Sequence, residues 1–599
     1  MRRKDRIRPM GVFFTTILAA GLLTGCGGSG SASGQGYNMT EEEVSVYYEG
    51  KYGSDQENVI MYFLDGNKQI AYYDMDTVQS ILNKLYQDGY GDYEKDPAYA
   101  VSYSSDGADQ VTFTRENGYD MVLNFAEDSI HFTDYDMFIS HSYDMSPVDL
   151  SHSSGYDADG QPVYLQRVES RSFSRYGKEL TYDLAAYDID LIHQGDAYYL
   201  PAQTLYDVLL GSTYTLYLYN GEDAFYINYE NFQNGMGEDD SLVQKYYDTE
   251  QSERSQALID YTYHELCMVL DYSYGLKDSH NIDSFDEYFQ EMAYDGQSLK
   301  DMLRSEDPLK MDQALQVLTY KGFADMHSGF MAPSAFTGLE NLSKVRAAGY
   351  AQSIYDYVAM DSGFRKAREK ALGLEQEEVN NYQEVGDTAF ITFDHFLAQK
   401  QDYYKEAPTD ETQDTVGLLI YAHSQITRED SPIKNVVLDI SCNGGGEEDA
   451  VAFVCAWFLG DASIYLQNPM TGASAVNVYR CDVNLDHTFD EKDTLSGFNL
   501  YCLTSPASFS CGNLAPCMFA CSDKVTLIGQ TTGGGSCVVL PMTTASGSFF
   551  QVSGFRRISS SKNGSFYNSD QGVTPDILLT KTESFYDRES LVEMIDKIK

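Results

Sequence analysis

The C-terminal third of the chain alternates short apolar strands with helical segments, and this order limits the folds open to it. The segment "NVVLDI" precedes the helical "EDAVAFVCAWFLG", and "FNLYCLTS" precedes "CGNLAPCMFAC", after which "KVTLIGQ" is a further strand. Strands that alternate with helices in this way usually build a layered α/β fold. We therefore predict an α/β core over residues 386–599, with a mainly helical part at 250–385 before it.

Two strand-to-helix turns in this core can hold a negative charge. In "NVVLDISCNGGGEEDAVAF" a glycine loop joins a buried strand to a helix, so backbone amides at the helix start can bind an anion. The segment "CLTSPASFSCGNLAP" repeats the arrangement with Ser508 and Ser510 in the turn. A nucleophile placed there would have its oxyanion held by nearby N–H groups. Either serine could equally be an ordinary turn residue.

Five motifs, taken in chain order, resemble those of a known peptidase family. They are "ADMHSGF", "VVLDISCNGGG", "LTSPASFSCGN", "LIGQTTGGGS" and "DQGVTPDI", and over residues 250–585 they are similar to the C-terminal processing (tail-specific) proteases and the tricorn protease core. The resemblance implies a serine peptidase with a layered, ClpP/crotonase-like spiral α/β core. It identifies Ser510 as the nucleophile, and as oxyanion donors the amides of Cys511 and of Gly445 or its neighbour Gly444.

The base differs between the two branches of this family. The tail-specific branch uses a lysine downstream of the serine, where this chain has Gly535. The tricorn-like branch uses an upstream histidine, and its motif resembles the one that contains His327. A serine hydroxyl needs a base, and histidine is the usual one near neutral pH. We therefore predict His327 as the base, with His395, His423 and Lys524 as alternatives.

A third group should orient the imidazole. Tricorn-like enzymes use a serine beside the histidine and a glutamate near the final "GVxPD" motif; here Met326 stands in the serine's place. Asp570, just before "GVTPD", is the predicted acid, and Asp576 is expected to fix the loop. No PDZ-like stretch is recognisable between residues 330 and 385, so the resemblance leaves recognition of a free C-terminus open.

The resulting prediction is a serine peptidase that acts on peptides or proteins and needs no cofactor for catalysis. The alternative is a catalytically inactive peptide-binding or scaffold lipoprotein on the same fold. The missing lysine and the missing neighbouring serine favour the alternative, whereas the presence of Ser510 and His327 favours the enzyme.

The N-terminal residues predict export and a lipid anchor. A basic segment, "MRRKDRIRPMG", precedes the apolar "VFFTTILAAGLL", which is too short to span a bilayer. The following "LTGC" resembles a bacterial lipobox, which implies cleavage before Cys26 and lipid on its thiol. We expect a signal peptide at 1–26, a flexible tether at 27–45 and a protein held by its lipid on the extracytoplasmic face of the membrane.

Residues 46–150 and 160–245 are predicted to be two small α+β modules. The segments 59–82 and 187–210 resemble each other, since each contains a strand, a turn with Gly, an "AYY" strand and a helical stretch. Tyrosine-rich strands follow both. The pair resembles stalk-type repeats similar to the N-terminal module of copper amine oxidases. We expect structural spacers, and the alternative is that the tyrosine-rich surfaces bind peptides or glycans.

The net charge of the chain limits the kinds of partner that it can bind. The formal net charge of −50 repels phosphate backbones, which excludes nucleic acid as an expected partner.

Besides Cys26 the chain has nine cysteines, eight of them between Cys442 and Cys537, at spacings that fit neither a disulfide framework nor a zinc site. We expect most of them to be buried core residues.

An acidic loop, "DVNLDHTFDEKD", predicts a structural Ca²⁺ site. Oxygen side chains at alternate positions let a short loop wrap one calcium ion, as in an EF-hand. Two features depart from that pattern: the sixth position is His487 instead of glycine, and the twelfth is aspartate. The predicted ligands are Asp482, Asn484, Asp486, the Thr488 carbonyl, Asp490 and Asp493. The alternative is an acidic surface hairpin that binds no ion.

Overall fold

The structure is a computed structural model of the chain. It describes residues 37–50, 54–85, 100–116, 118–139, 155–156, 162–172, 179–210, 214–237, 241–376, 378–398, 401–411 and 414–598. The predicted signal peptide and Cys26 lie outside the described residues. Among the described residues, none of the helices has the length and apolar character needed to cross a membrane.

The N-terminal part is rich in strands. Its first strand begins at Met39, inside the predicted tether. From Val44 onward alternate side chains of this strand are buried, which is the pattern of a strand with one face on the core. The strands are β1 Met39–Glu49, β2 Ser54–Leu64, β3 Tyr72–Asp74, β4 Val101–Ser105, β5 Gln110–Arg115, β6 Asp120–Asn124, β7 Ser129–Phe132, β8 Gly155–Tyr156, β9 Pro162–Val163, β10 Leu165–Ser172, β11 Leu180–Asp183, β12 Ile192–Gln194, β13 Ala197–Pro201, β14 Thr215–Tyr219 and β15 Ala224–Asn228. The helices are α1 Met75–Asn83, α2 Tyr135–Ile139, α3 Ala202–Leu205, α4 Tyr229–Gly235 and α5 Leu242–Tyr247.

The two predicted modules share a sheet. Its strand order is β12-β13-β3-β2-β1-β15-β14, so strands of both segments lie side by side. The two similar "AYY" strands, β3 and β13, are direct antiparallel neighbours, and β1 pairs with β15 in parallel. A second sheet, β11-β7-β6-β5-β4, also takes strands from both segments. The duplicated segments are therefore interleaved rather than arranged one after the other.

A helical part follows, as the sequence predicts for 250–385. Its long first helix begins at a serine cap, since the Ser255 side chain accepts the Leu258 N–H. The helices are α6 Gln256–Ser273, α7 Phe285–Glu291, α8 Leu299–Leu303, α9 Pro308–Val317, α10 Leu342–Arg346 and α11 Gln352–Leu372. Three short strands accompany them: β16 Ala293–Tyr294, β17 Gln297–Ser298 and β18 Gly329–Ala332.

The C-terminal part is the predicted layered α/β core. The strands are β19 Tyr382–Val385, β20 Thr388–Thr392, β21 Asn435–Asp439, β22 Ala462–Gln467, β23 Ser474–Cys481, β24 Asn499–Thr504, β25 Val525–Gly529, β26 Cys537–Thr543, β27 Phe549–Ser559, β28 Ser561–Lys562, β29 Ser565–Phe566 and β30 Ile577–Leu578. The helices are α12 Thr415–Ile426, α13 Glu448–Leu459, α14 Cys511–Ala520 and α15 Arg588–Ile598. Each apolar segment singled out in the sequence forms the predicted strand or helix.

The central sheet explains where the glycine and serine turns meet. Its order is β19-β20-β21-β24-β25-β30, and every pair from β20 onward is parallel. The carboxyl ends of parallel strands face the same edge of a sheet, where open α/β folds place their ligands. The loops after β21, β24 and β25 therefore converge at one edge.

A further sheet joins all three parts of the chain. Its order is β10-β23-β22-β27-β18, with β26 also paired to β27. Strand β10 comes from the N-terminal part, β18 from the helical part and the others from the core. In agreement with this pairing, residues Asn38–Lys599 pack as one compact unit.

The cysteines lie mostly inside the core. All nine cysteines of the described residues are free thiols, and eight of them are buried, with Cys521 half-buried. The expectation of small buried core residues is met at these positions.

Candidate active site

The turn between β24 and α14 holds Ser510 in a strained conformation. Its φ and ψ are 57° and −122°, a backbone geometry that side chains rarely adopt. The Ser510 N–H donates to the Gly534 carbonyl (2.9 Å), and its own carbonyl accepts the N–H groups of Asn513 and Leu514. Strain of this kind persists only when the surroundings enforce it, and it concentrates at functional positions. The side chain is half-buried and makes no capping hydrogen bond.

Ser508, in contrast, is a structural residue. It is fully buried, and its hydroxyl donates to the Ile440 carbonyl (2.8 Å) while accepting the Ser505 N–H (3.0 Å). Its proton is already committed to the main chain, so Ser508 has no free proton to give to a base. The geometry therefore favours Ser510, as the family resemblance implies.

The start of α14 offers one open oxyanion donor. The Cys511 amide is in the first turn of the helix, where N–H groups lack an intrahelical acceptor, and no acceptor for it is found in the described part of the chain. Gly445 faces the serine: a Cβ placed there would lie 2.8 Å from Ser510 Cβ, and its φ is +117°. The Gly445 N–H, however, donates to Asn443 Oδ1 (2.9 Å), and the Gly444 N–H donates to the Asp394 carbonyl (3.2 Å).

His327 lies next to the serine turn. Its ring packs against that of Phe509, with 4.7 Å between the ring centroids, and only 7% of the residue is exposed. Burial lowers the pKa of His327 below its ordinary value, while the charges of Asp325 and Asp570 and the Cys537 carbonyl oppose this shift. Among the residues that the structure describes, its buried Nδ1 has no hydrogen-bond partner. A neutral, buried imidazole with a free nitrogen can accept a proton.

Phe509 also explains why no lysine stands at position 535. A Cβ at Gly535 would lie 2.6 Å from two carbon atoms of the Phe509 ring, and the φ of Gly535 is +85°. A lysine side chain has no room to begin there. The ring that excludes it is the one that packs against His327.

The glycine loop after β25 connects the serine turn to Asp570. Gly534 accepts the Ser510 N–H, and the Gly535 N–H donates to the Asp570 carbonyl (3.2 Å). The Asp570 carboxylate accepts the main-chain N–H (3.1 Å) and the hydroxyl (3.3 Å) of Ser536. Asp576 accepts the Leu527 N–H (2.9 Å), which ties the final loop to β25 as expected.

The alternative bases are placed less well. His423 Nδ1 accepts the Trp457 indole N–H (3.0 Å), and burial lowers its pKa to about 4. His395 is exposed. Lys524 follows the far end of α14 and donates to the Leu459 carbonyl (2.6 Å). Helix α14 has ten residues, or about 15 Å at the rise of an α-helix, between that lysine and Ser510.

Sequence reasoning missed Asp325, whose carboxylate fixes the turn that carries His327. It accepts the main-chain N–H groups of His327 (3.0 Å) and Ser328 (2.8 Å). Aspartate commonly accepts the N–H groups that follow it in a turn. The Asp-x-His-Ser spacing within "ADMHSGF" was therefore the signal that could have identified it.

The acidic loop 482–493 is closed by its own hydrogen bonds. Asp482 accepts the N–H groups of Asp486 (3.1 Å) and His487 (2.8 Å). Asp493 accepts those of Val483, Asn484 and Asp490. Within the described ranges, no group of three or more His, Cys, Asp or Glu side chains is arranged to hold a metal ion. The calcium site stays a prediction.

Comparison with known proteins gives a family match that covers part of this site. Residues 410–579 match the sequence model of Peptidase family S41, a range that contains Ser510, Gly445 and Asp570 but not His327. None of the curated proteins matches the chain significantly.

Many solved structures resemble the chain, and three of them show the range of the matches. The photosystem II D1 C-terminal processing protease is 17% identical at a TM-score of 0.24, and the match covers 32% of this chain and 42% of that one. A lipoprotein from Streptococcus agalactiae is 13% identical at a TM-score of 0.30, over 49% of this chain and 86% of that one. The tricorn protease is 15% identical at a TM-score of 0.21, over 39% and 19%. The family resemblance found in the ordered motifs is confirmed over residues 410–579, which are similar to the sequence model of peptidase family S41.

Proposed function

We propose that the protein is a serine peptidase of the cell envelope in which Ser510 is the nucleophile and His327 the base. The observation that carries the proposal is that a strained serine and an open helix-start amide lie in the same turn as Phe509, whose ring packs against a buried histidine. Ser510 Oγ attacks a peptide carbonyl while the imidazole takes its proton. The imidazolium then returns that proton to the leaving amine, and water hydrolyses the acyl-enzyme.

The developing negative charge is stabilised by backbone N–H groups. The Cys511 amide is the first donor, because it opens α14 and lies directly after the nucleophile. The second is the Gly445 amide, which has to exchange Asn443 Oδ1 for the oxyanion. The closeness of Gly445 to the Ser510 side chain supports this assignment. Asp570, whose charge favours the protonated imidazole, is the proposed acid.

Labelling with a fluorophosphonate probe tests the nucleophile, since only an activated serine reacts. The full-length protein should be labelled, Ser510→Ala should not, and Ser508→Ala should retain labelling if it folds. Peptide-library hydrolysis should follow the same order. A folded wild type that neither reacts with the probe nor cleaves peptides would instead indicate an inactive binding or scaffold protein.

The envelope location rests on the lipobox-like "LTGC" and is tested separately. Metabolic labelling with an alkyne fatty acid should mark the wild type and not Cys26→Ser. A protein that is exported without lipid would contradict the anchor but leave the peptidase proposal intact.

A further inference from the structure

The Asp325 carboxylate gathers five donors. Besides the N–H groups of His327 and Ser328, it accepts the hydroxyls of Ser328 (2.7 Å), Ser553 (2.9 Å) and Tyr274 (3.2 Å). These donors come from the His327 turn itself, from β27 and from the residue after α6. Three separate parts of the fold therefore fix the position of one carboxylate.

All five donors are neutral. None of the ion pairs between described residues includes Asp325, so its charge is not cancelled by a neighbouring cation. The Tyr274 hydroxyl is affected accordingly. Burial is the largest cause that raises its pKa, and the Asp325 charge is the next. A carboxylate that is hydrogen-bonded but not ion-paired keeps its net negative charge, which favours the protonated form of a nearby imidazole.

Asp325 acts on His327 more strongly than Asp570 does. Both charges oppose the effect of burial on the His327 pKa, and that of Asp325 is the larger. Asp325 also holds the turn through the main chain of His327, whereas Asp570 is bonded to Ser536 in another loop. Because Asp325 is only two residues from His327, the turn fixes its charge relative to the imidazole. The charge of Asp570, on a separate loop, is not fixed in this way.

Resting on the proposed function, we propose that Asp325 is the positioning residue of the base: it holds the His327 turn and stabilises the imidazolium that forms during turnover. Two roles follow from one side chain. Its oxygen atoms bind the main chain of the turn, and its charge favours the protonated ring. The second role requires the charge, and the first requires only an acceptor.

Other groups also surround the His327 imidazole and have to be considered in the test. Asp570 and the Cys537 carbonyl act on the ring directly, and Phe509 packs on its face. Tyr274 lies behind Asp325 and is itself bonded to His280 Nδ1 (2.8 Å). Arg557 acts on Cys537. A substitution at position 325 keeps all of these residues, but it removes the charge that acts on the Tyr274 hydroxyl.

Two neutral substitutions separate the roles. Asp325→Asn and Asp325→Ser each keep a side-chain oxygen that can accept the turn N–H groups and remove the charge. With the negative charge gone, the imidazolium is less favoured, so the acid limb of kcat/KM should move to lower pH. We expect kcat to fall by about ten- to hundredfold, as loss of an outer-shell partner commonly causes. Ser553→Ala removes one neutral donor and keeps the charge, so its acid limb should stay at the wild-type pH.

Direct titration makes the test independent of peptidase activity. In full-length Ser510→Ala with imidazole-labelled histidines, the His327 NMR signal, assigned by its loss in His327→Gln, should titrate at lower pH after Asp325→Asn or Asp325→Ser. An unchanged His327 midpoint in either folded variant would overturn the proposal, whether or not the wild type cleaves peptides. A shifted midpoint without any peptidase activity would support the role of Asp325 and reject the proposed function.

Discussion

At the scale of single residues, Phe509 borders both positions at which the family resemblance implies a base, Gly535 and His327. Its ring leaves no space for a side chain at Gly535 and at the same time packs against His327. In the proposed mechanism, this ring therefore excludes a lysine base at position 535 and packs against the histidine that is proposed to replace it. Any residue larger than glycine at position 535 therefore requires the Phe509 ring to move.

Replacing Gly535 by alanine should damage both stability and activity. The new Cβ would meet the Phe509 ring at a positive φ, and we expect the free energy of unfolding to fall by about 3 kcal/mol or more. Displacing the ring would also remove the contact with His327. Urea denaturation and kcat/KM measure the two effects.

Gly564→Ala is the matched control. Gly564 has a similar φ of +76°, but nothing lies within 4 Å of a Cβ there. Its substitution should cost only about 1 kcal/mol from backbone strain and leave kcat/KM unchanged. Equal losses in the two variants would mean that backbone strain, rather than the Phe509 contact, is responsible.

The pH dependence of peptidase activity should report the protonation of the base. Burial lowers the pKa of His327 below the ordinary 6.5, so the ring stays neutral, and able to accept a proton, to lower pH than usual. Activity should therefore rise with pH through a midpoint below 6.5 and remain high at neutral pH. His327→Gln should reduce kcat by several orders of magnitude, whereas the exposed His395→Gln should not. An acid limb above pH 6.5 would contradict this assignment.

At the scale of elements, the core follows closely from the sequence. Strands β21, β24 and β25 and helices α13 and α14 form where apolar runs and glycine turns predict them, because local patterning decides these elements. The turn at Ser510 was found by motif. Its positive φ and the contact between Phe509 and His327 were not predictable, since both depend on residues far apart in sequence that only the folded sheet brings together.

The loop between β23 and β24 provides a test at this scale. We propose that Ca²⁺ binds residues 482–493, because oxygen side chains recur there at alternate positions. Millimolar Ca²⁺, after prior chelation, should raise the Tm of the wild type and do so much less in Asp482→Ala/Asp486→Ala. Glu491→Ala, an exposed residue outside the predicted ligand set, should retain the full shift.

A wild type without a calcium-dependent shift would rule the site out. The hydrogen bonds from the loop amides to Asp482 and Asp493 would then account for the loop without any ion.

At the scale of the whole molecule, the N-terminal part supports the core directly. The Tyr229 hydroxyl donates to Gln551 (3.1 Å), whose amide donates to the His327 carbonyl (2.7 Å). Gln203 donates to the Thr543 carbonyl (2.9 Å). The sequence showed the duplication of the N-terminal segments, but it could not show that their strands interleave, because pairing between distant strands leaves no local pattern.

A carboxyl pair at this junction should make stability depend on pH. Asp207 faces the buried Glu265 of α6, and burial together with this neighbour raises the pKa of Asp207. The folded state thus holds a proton that the unfolded chain releases near its ordinary pKa of about 3.9. The stabilisation is fully present below that pH and is lost as the pH rises toward the raised pKa.

Asp207→Asn, which is always neutral, should remove this dependence. Its Oδ1 can still accept the Gln203 amide, as Asp207 does (3.0 Å). Thermal unfolding should show the variant more stable than the wild type at pH 8, with the difference shrinking at pH 4. Asp196→Asn, an exposed carboxylate on the β12–β13 turn, serves as the control and should follow the wild type. A variant less stable than the wild type at pH 8 would contradict the pairing.

Strand β10 has a consequence for how the chain folds. Its partner β23 is made about 300 residues later, since Ser172 pairs with Ala475. At ribosomal speeds of roughly 5–20 residues per second, that delay lasts tens of seconds. Until then the hydrogen bonds between β10 and β23 cannot form, and an open strand edge readily pairs with other chains. Newly made copies should therefore aggregate most readily before β23 is complete, and a chaperone that covers extended segments should protect them during that interval.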